Sequence, residues 1–470
     1  MTDGSAFSEL LLASVNAWSE RKSDACVLSL ALPVYSVDPL KKLSDIADKQ
    51  QFRFLWDLSP GLCISAAGHC QHLNLSGSKR FANAQRFSDE TFDQLVDVSR
   101  SSPEHALPRI LFAFSFFDQP KNPAKDSEDS FALQAVLPRW QLSSQNGNTW
   151  LRLNEIIHQL SDIRKMVEDL WTMRKKIIQE SNNFSLITRQ SFSVNSISKA
   201  WEAPYREALS QGIALVNSGE LDKLVLAARQ LILLEEPLDP LGMLFRLRHQ
   251  QTNSCRFLWQ HSSDESFFGA SPERLISLHQ SDLKIDALAG TAKENDDGHD
   301  LMNSPKDLRE HKFVVNSIIK QLNTLGIDAI HLQKPQIFRQ GHLIHLRTLV
   351  SANSLGVLPL NLVDALHPTP AVAGLPFEKA IGWLRALEPF DRGGYAAPIG
   401  WIDSRKNSDF RVAIRCGYIS GKNLELMAGA GLVKGSTVQG EFQEVAMKLN
   451  VLTDQLDLEH KDHSRYSSRR

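Results

Sequence analysis

The chain carries almost no net charge. Its 52 lysines and arginines face 54 aspartates and glutamates, a formal −2, and nothing supplies the basic footprint of a nucleic-acid binder. Cysteine is scarce: Cys26, Cys63, Cys70, Cys255 and Cys416 are scattered, odd in number and contain no C-x-x-C. That excludes a disulfide framework and a zinc ribbon, and fits free thiols in a reducing cytoplasm. No apolar run is long enough to span a bilayer. The opening "MTDGSAFSELLLASVNAWSE" has acidic residues and no basic segment before its short apolar stretch, so it reads as an amphipathic helix and not a targeting signal. Repeats and low-complexity segments are absent. So are a nucleophile elbow, an H-E-x-x-H helix, a dinucleotide glycine fingerprint and a P-loop.

What is present is 470 residues of ordinary globular composition, 42% apolar and 23% charged, enough to bury polar groups deep inside. Short strand-like runs fill the first part, among them "DACVLSLALPV" and "RILFAFSFF". "SSQNGNTWLRL" predicts a hairpin at its Asn-Gly pair. Helical spacing is expected from Leu153 to about Glu180, closed by "ESNNF", and again near 196–217. "DQPKNPAKDSED" reads as a polar loop and "HSRYSSRR" as a basic tail. Ser304 caps a helix with Pro305 in its first turn, running to about Leu322, and "GEFQEVAMKLNVLTDQL" forms a closing helix. Strands joined by tight turns argue for antiparallel sheet, and helices occurring singly between strand groups argue for α+β. With no clean linker, one large interleaved domain is expected.

"LDKLVLAAR" alternates so that Lys223 shares a face with Val225 and Ala227. A lysine there is either an edge-strand gatekeeper or a buried cation. Glu441, Glu444 and Lys448 lie on one face of the closing helix, and Asp307 and Glu310 on one face of the Ser304 helix. Two such helices can build an all-oxygen site for a hard cation such as Mg²⁺; on spacing alone, solvated faces with ordinary ion pairs are commoner. Gly429, Gly431 and Gly435 precede the acidic helix and could open backbone N–H groups to an anion, or form a plain turn. "GTAKEN" at 290–295 offers a similar turn, Glu273 follows Ser-Pro at a strand entry, and His345 alternates with apolar residues. Taken alone, these residues support only a Mg²⁺-dependent enzyme acting on an anionic small molecule.

Their order resembles the chorismate-utilising enzymes. The matching stretches are "LDKLVLAAR", "FFGASPERL", "DALAGT", "SPKDLREHKFVV", "HLRT", "LHPTPAVAGLP", "EPFDRGGYAAPIGW", "FRVAIRCG" and "AGAGLVKGSTVQGEFQEVAMKL", spanning about 220–450. The resemblance implies a single large α+β domain of two layered, mostly antiparallel sheets flanked by helices. Residues 1–192 would form the N-terminal half of the sandwich, 193–452 the chorismate-binding region and 453–470 a tail. It implies Lys223 as the base activating water for attack on ring carbon 2 of chorismate, and Glu273 as the acid protonating the departing 4-hydroxyl. Glu310 and Glu444 fall at Mg²⁺ ligands, with Asp307 and Glu441 beside them. Tyr395, Arg415, Gly429, Gly431 and Lys448 fall where substrate carboxylates are held, Gly290 and Thr291 line the ring, and His345 lies close to it.

Ala289 stands where aminodeoxychorismate synthases carry a nucleophilic lysine, and Lys223 is the residue of the water-using members. No glutamine amidotransferase segment is visible, so no such partner is expected. "LHPTPAVAGLP" resembles isochorismate synthases; a salicylate synthase, or a non-catalytic chorismate-binding subunit, is the alternative. Two departures stand out. Ala228 occupies a position where many relatives have arginine, and Gly394 and Ala397 alter the "RGGYAAP" loop, which they are expected to loosen.

Overall fold

A computed structural model describes residues 3–20, 26–47, 51–121, 131–179, 192–261, 265–293, 298–331 and 334–454. The tail, most of the polar loop and the "ESNNF" segment lie outside them. Among the described residues no helix is long and apolar enough to cross a membrane.

Local chemistry explains most elements. Asn146 and Gly147 both take positive φ, 51° and 76°, as a two-residue hairpin turn requires, joining Leu133–Gln145 to Asn148–Ile157. The expected helix from Leu153 is corrected. Residues 153–157 continue that second strand, which pairs with Cys26–Tyr35 on its other edge, and Leu151–Asn154 are all buried. A strand covered on both faces loses its period-two signature. The helix is Leu160–Ile178, begun by a Gln159–Asp162 capping box. Likewise Val194–Ile197 is a strand, and the helix after it is Glu202–Asn217.

All 21 strands among the described residues join into one hydrogen-bonded network, antiparallel except where Cys26–Tyr35 meets Leu95–Asp97. The network forks at Leu133–Gln145. One edge of that strand pairs along its length with Cys63–Leu75. The other pairs with Asn148–Ile157 at one end and with Arg109–Phe114 at the opposite end. From Cys63–Leu75 the first branch continues through Arg53–Asp57, Cys255–Gln260, Glu265–Ser271, Cys416–Ser420 and Asn423–Leu432 to Lys223–Leu234. From Arg109–Phe114 the second continues through Pro398–Asp403, Ser408–Val412, Arg274–His279 and Asp282–Lys293 to Leu343–Asn353. These branches are the two layers, and one apolar core runs through both.

Two short crossings join the branches near their middles. Ser271–Arg274 links Glu265–Ser271 to Arg274–His279, and 412–416 links Ser408–Val412 to Cys416–Ser420. The crossings are bonded to each other: the Val412 N–H donates to Glu273 O at 3.1 Å, and the Ala270 N–H to Arg415 O at 3.0 Å.

Candidate active site

Lys223 opens the last strand of the first branch, and residues 223–228 are buried on both faces. Leu224 and Leu226 pack beneath Gly212 of helix Glu202–Asn217, which leaves Lys223, Val225 and Ala227 on the face towards the second branch. Lys223 is fully buried (0% exposed), so the gatekeeper alternative is excluded. Its Nζ lies 2.9 Å from Glu310 Oε1 but makes no well-formed hydrogen bond. A Cβ on Gly431 would sit 3.1 Å from Lys223 Cε and overlap the Glu310 carboxylate. Gly431 is therefore small because the ion pair lies across it, and Gly429 because a Cβ there would meet Tyr395 Oη at 3.0 Å. Both glycines sit within the paired part of strand Asn423–Leu432; of the three, only Gly435, at φ 99°, is in a turn at all.

Helix Pro305–Thr324 brings Asp307 and Glu310, and helix Val438–Thr453 brings Glu441, Glu444 and Lys448. Gly290 lets the first helix approach. It sits at φ 79° in a β-bulge, and a Cβ would come 3.3 Å from Asp307 Cβ. Three of the four carboxylates are paired with a lysine: Glu310 with Lys223, Glu441 with Lys306 at 2.6 Å, and Glu444 with Lys448 at 2.6 Å. Burial would raise Glu310, but Lys223, helped by Lys306 and Lys448, holds it below the usual glutamate range. Burial and the neighbouring Glu444 charge push Glu441 up. Burial also raises Asp307, with Glu310 and Glu444 adding to it. Glu441 keeps Oε2 buried without a well-formed hydrogen bond, Ser436 giving only partial relief. Like charges crowded together, hard oxygen donors and an unsatisfied oxygen fit a divalent cation. Among the described residues no three such side chains already converge as a coordination set; the lysines hold them instead.

Glu273 lies on the first crossing, 2% exposed. Burial, with the Asp286 charge second, pushes its carboxyl up to about 8 against the pull of Lys223, Arg415 and Lys448, so it holds a proton at neutral pH. Arg415 is on the second crossing, at φ 52°, buried with Nε unpartnered. Desolvation lowers its guanidinium, offset by Tyr395, Glu444 and Glu273. On the second branch Thr291 Oγ1 and His345 Nδ1 are 3.1 Å apart, and Gly290 O lies 3.3 Å from the same nitrogen. His345 Nε2 is buried and free of partners. Burial, then Arg415 and Lys448, keeps the ring neutral. Lys448 Nζ also donates to Gly429 O at 2.8 Å.

The fourteen residues singled out in the sequence thus gather between the branches, Thr291, Asp307, Glu444 and Lys448 half-buried and the rest buried. A nearby cavity of about 510 Å³, lined by Arg229, Trp259, Phe267, Tyr418 and Glu425 among others, includes none of them. Ala228 faces away beneath the helix side, and Arg229 instead reaches Glu425 at 3.5 Å and lies over the Phe390 ring. The loop expected to be loose is pinned: the Gly394 N–H donates to Tyr418 Oη, and a Cβ there would come 2.8 Å from Phe267. Sequence reasoning missed Lys306, Asp286 and the pair Glu388–Arg392; the last stood in plain view at i, i+4 in "EPFDRGGY".

A family model described as chorismate binding enzyme matches residues 12–457, and the chain belongs to that family. Among its members the chain is 35% identical over 453 residues to isochorismate synthase MenF of Bacillus subtilis, covering 93% of this chain and 95% of that protein. It is 29% identical to the salicylate biosynthesis isochorismate synthase of Pseudomonas aeruginosa, over 92% and 90%. In fold it is similar to the menaquinone-specific isochorismate synthase of Escherichia coli (TM-score 0.74, 24% identity, 95% of this chain and 100% of that one). It is also similar to anthranilate synthase component I of Streptococcus pneumoniae (TM-score 0.66, 17% identity, 84% and 92%).

Proposed function

We propose that the chain is an isochorismate synthase of the menaquinone or phylloquinone type, isomerising chorismate by adding water at ring carbon 2 and releasing the 4-hydroxyl. The observation that carries this is the pairing of a fully buried lysine, Lys223, with a buried carboxyl, Glu273, raised to about 8. Lys223, in its neutral form and released from Glu310, takes a proton from the attacking water. Glu273 gives its proton to the leaving hydroxyl, which departs as water, so one hydroxyl replaces another and the composition is unchanged. Arg415, Lys448 and Tyr395 are suited to hold carboxylates, and the neutral His345 offers Nε2 towards the ring side.

Glu310 and Glu444, with Glu441 and Asp307 beside them, would hold Mg²⁺. When bound, it neutralises substrate carboxylate charge as electrons shift through the diene. Their lysine partners keep the same carboxylates compensated otherwise. Because water is the nucleophile, no amidotransferase partner is required. Among the described residues the five cysteines form no disulfide, which suits the cytoplasmic location we assign.

Incubation with chorismate and Mg²⁺, followed by chromatographic separation, tests the reading. Isochorismate as the main product is expected. Salicylate and pyruvate would identify a salicylate synthase, and unchanged chorismate a binding subunit.

A further inference from the structure

Strand Lys223–Leu234 has a complete neighbour on only one edge, Asn423–Leu432. On its other edge Gly374–Leu375 pairs with Leu224 and Lys223, and the Val225 N–H donates to Ala373 O at 2.8 Å. Val194–Ile197 resumes pairing only from Ile232. Between those two short strands the edge meets side chains. The Ala227 N–H donates to Glu388 Oε1 at 2.9 Å, and Arg392 Nη2 donates to Val225 O at 2.7 Å. Arg392 also donates from Nε to Glu388 Oε2 at 2.8 Å and from Nη1 to Val372 O at 2.7 Å. A carboxylate and a guanidinium thus take the acceptor and donor places of a missing strand.

Both side chains are buried, Arg392 at 0% and Glu388 at 2% exposed. A buried ion pair is a poor source of stability, since apolar replacements of equal volume often do as well. Apolar side chains, however, could satisfy neither the Ala227 N–H nor the Val225 carbonyl. Arg392 has a second attachment. Its guanidinium lies 4.3 Å from the Phe116 ring centroid and 5.9 Å from that of Tyr395, three residues on. The Phe116 N–H donates to Gly393 O at 2.7 Å. The pair therefore ties the loop that presents Tyr395 to the strand that presents Lys223.

We propose that Glu388 and Arg392 are positioning residues that lock the Tyr395 loop to the Lys223 strand by substituting for a missing strand at its edge. This rests on the reading of Lys223 as the base. Without the lock, Lys223 and Tyr395 stay in the site but lose their fixed separation. A misplacement of about 1 Å costs about 10²-fold in rate even when chemistry is untouched.

Glu388→Gln keeps an acceptor for Ala227 and removes the charge that orients Arg392. Arg392→Lys keeps the charge and removes the forked donors. Lys379→Met, which breaks an exposed pair with Glu220, is the control. Each full-length variant is measured by hydrogen exchange over 223–228, thermal unfolding, and kcat and KM for chorismate. Both clamp variants are expected to fold, to exchange about 10-fold faster over 223–228 with the other strands unchanged, and to lose about 10–100-fold in kcat with KM within about 3-fold. The control should match the wild type. Faster exchange with unchanged kcat would reduce the pair to a structural role and overturn the proposal, as would unchanged exchange. Arg392→Lys may be set aside if it does not fold, because Glu388→Gln alone decides. If the wild type forms no isochorismate, the functional reading fails, and with it the catalytic part of this proposal, while exchange still reports whether the clamp holds the strand.

Discussion

Raising the pH should switch off this site through Glu273. Burial and Asp286 move its carboxyl from the ordinary 4.5 to about 8. At 1.36 kcal/mol per unit, that shift is roughly 5 kcal/mol against charging Glu273 in the folded chain. Two consequences follow with defined signs. As the acid, Glu273 is loaded at pH 6, half-loaded near pH 8 and nearly empty at pH 10, so kcat/KM should fall about tenfold per unit above pH 8. As a group raised on folding, its contribution to stability is complete below about pH 4.5 and is lost progressively as pH rises through about 8. Glu273→Gln removes the charging penalty while nearly preserving shape. It should lose about 10²–10⁴-fold in kcat at pH 7, abolish the alkaline limb in what remains, and be more stable than the wild type above pH 8. Initial rates of isochorismate formation across pH 6–10, with denaturant titrations at pH 7 and 9, measure all three. An alkaline limb that persists in Glu273→Gln, or a kcat within a few-fold of wild type, would refute the assignment of the acid.

Lys223→Met should reduce turnover at least about 10³-fold and destabilise the chain by about 3 kcal/mol, because it strands the buried Glu310 carboxylate; kinetics and denaturant unfolding check both. Gly431→Ala pushes a methyl into the Glu310 carboxylate, so it should cost about 1–3 kcal/mol of stability and weaken Mg²⁺ binding in calorimetry, whereas wild-type affinity would show that the pair can move aside freely. Chelation of Mg²⁺ should abolish activity reversibly. Glu444→Gln should raise the Mg²⁺ concentration needed for half-activity by about 10-fold or more, and activity indifferent to chelator would remove the metal from the mechanism.

The sequence carried some of this openly and hid the rest for identifiable reasons. Helix faces were readable from spacing, because Asp307 with Glu310 and Glu441 with Glu444 repeat at helical intervals. Spacing could not tell that those faces turn towards one another; the ordered family stretches did. Lys223 looked anomalous on a strand, but only the contact with Glu310, 87 positions away in number, gives the anomaly a partner. Leu153–Ile157 was misread because Leu153, Ile156 and Ile157 fall at helical spacing, although Ile156 is exposed on a continuing strand. Glu388 and Arg392 escaped notice because their significance lies in the Ala227 N–H, separated by 161 positions. Gly290 and Gly431 read as turn-formers, yet each is needed because a helix or an ion pair lies against it.

The forked strand Leu133–Gln145 has a consequence for how the chain can vary. None of the fourteen site residues precedes 193, so the first 192 residues could be mistaken for an accessory. They instead contain the spine from which both leaves open, as in a bound book. Lys223 sits towards the outer end of one leaf and His345 towards that of the other. A small change of angle at the spine, from repacking around Trp140 or Leu142, would pass along both leaves to the crossings that carry Glu273 and Arg415, and from there to the gap. Core substitutions in the first half, remote from every reacting atom, should therefore tune turnover, and a catalytic half cut away from its spine should not keep the gap that chorismate needs.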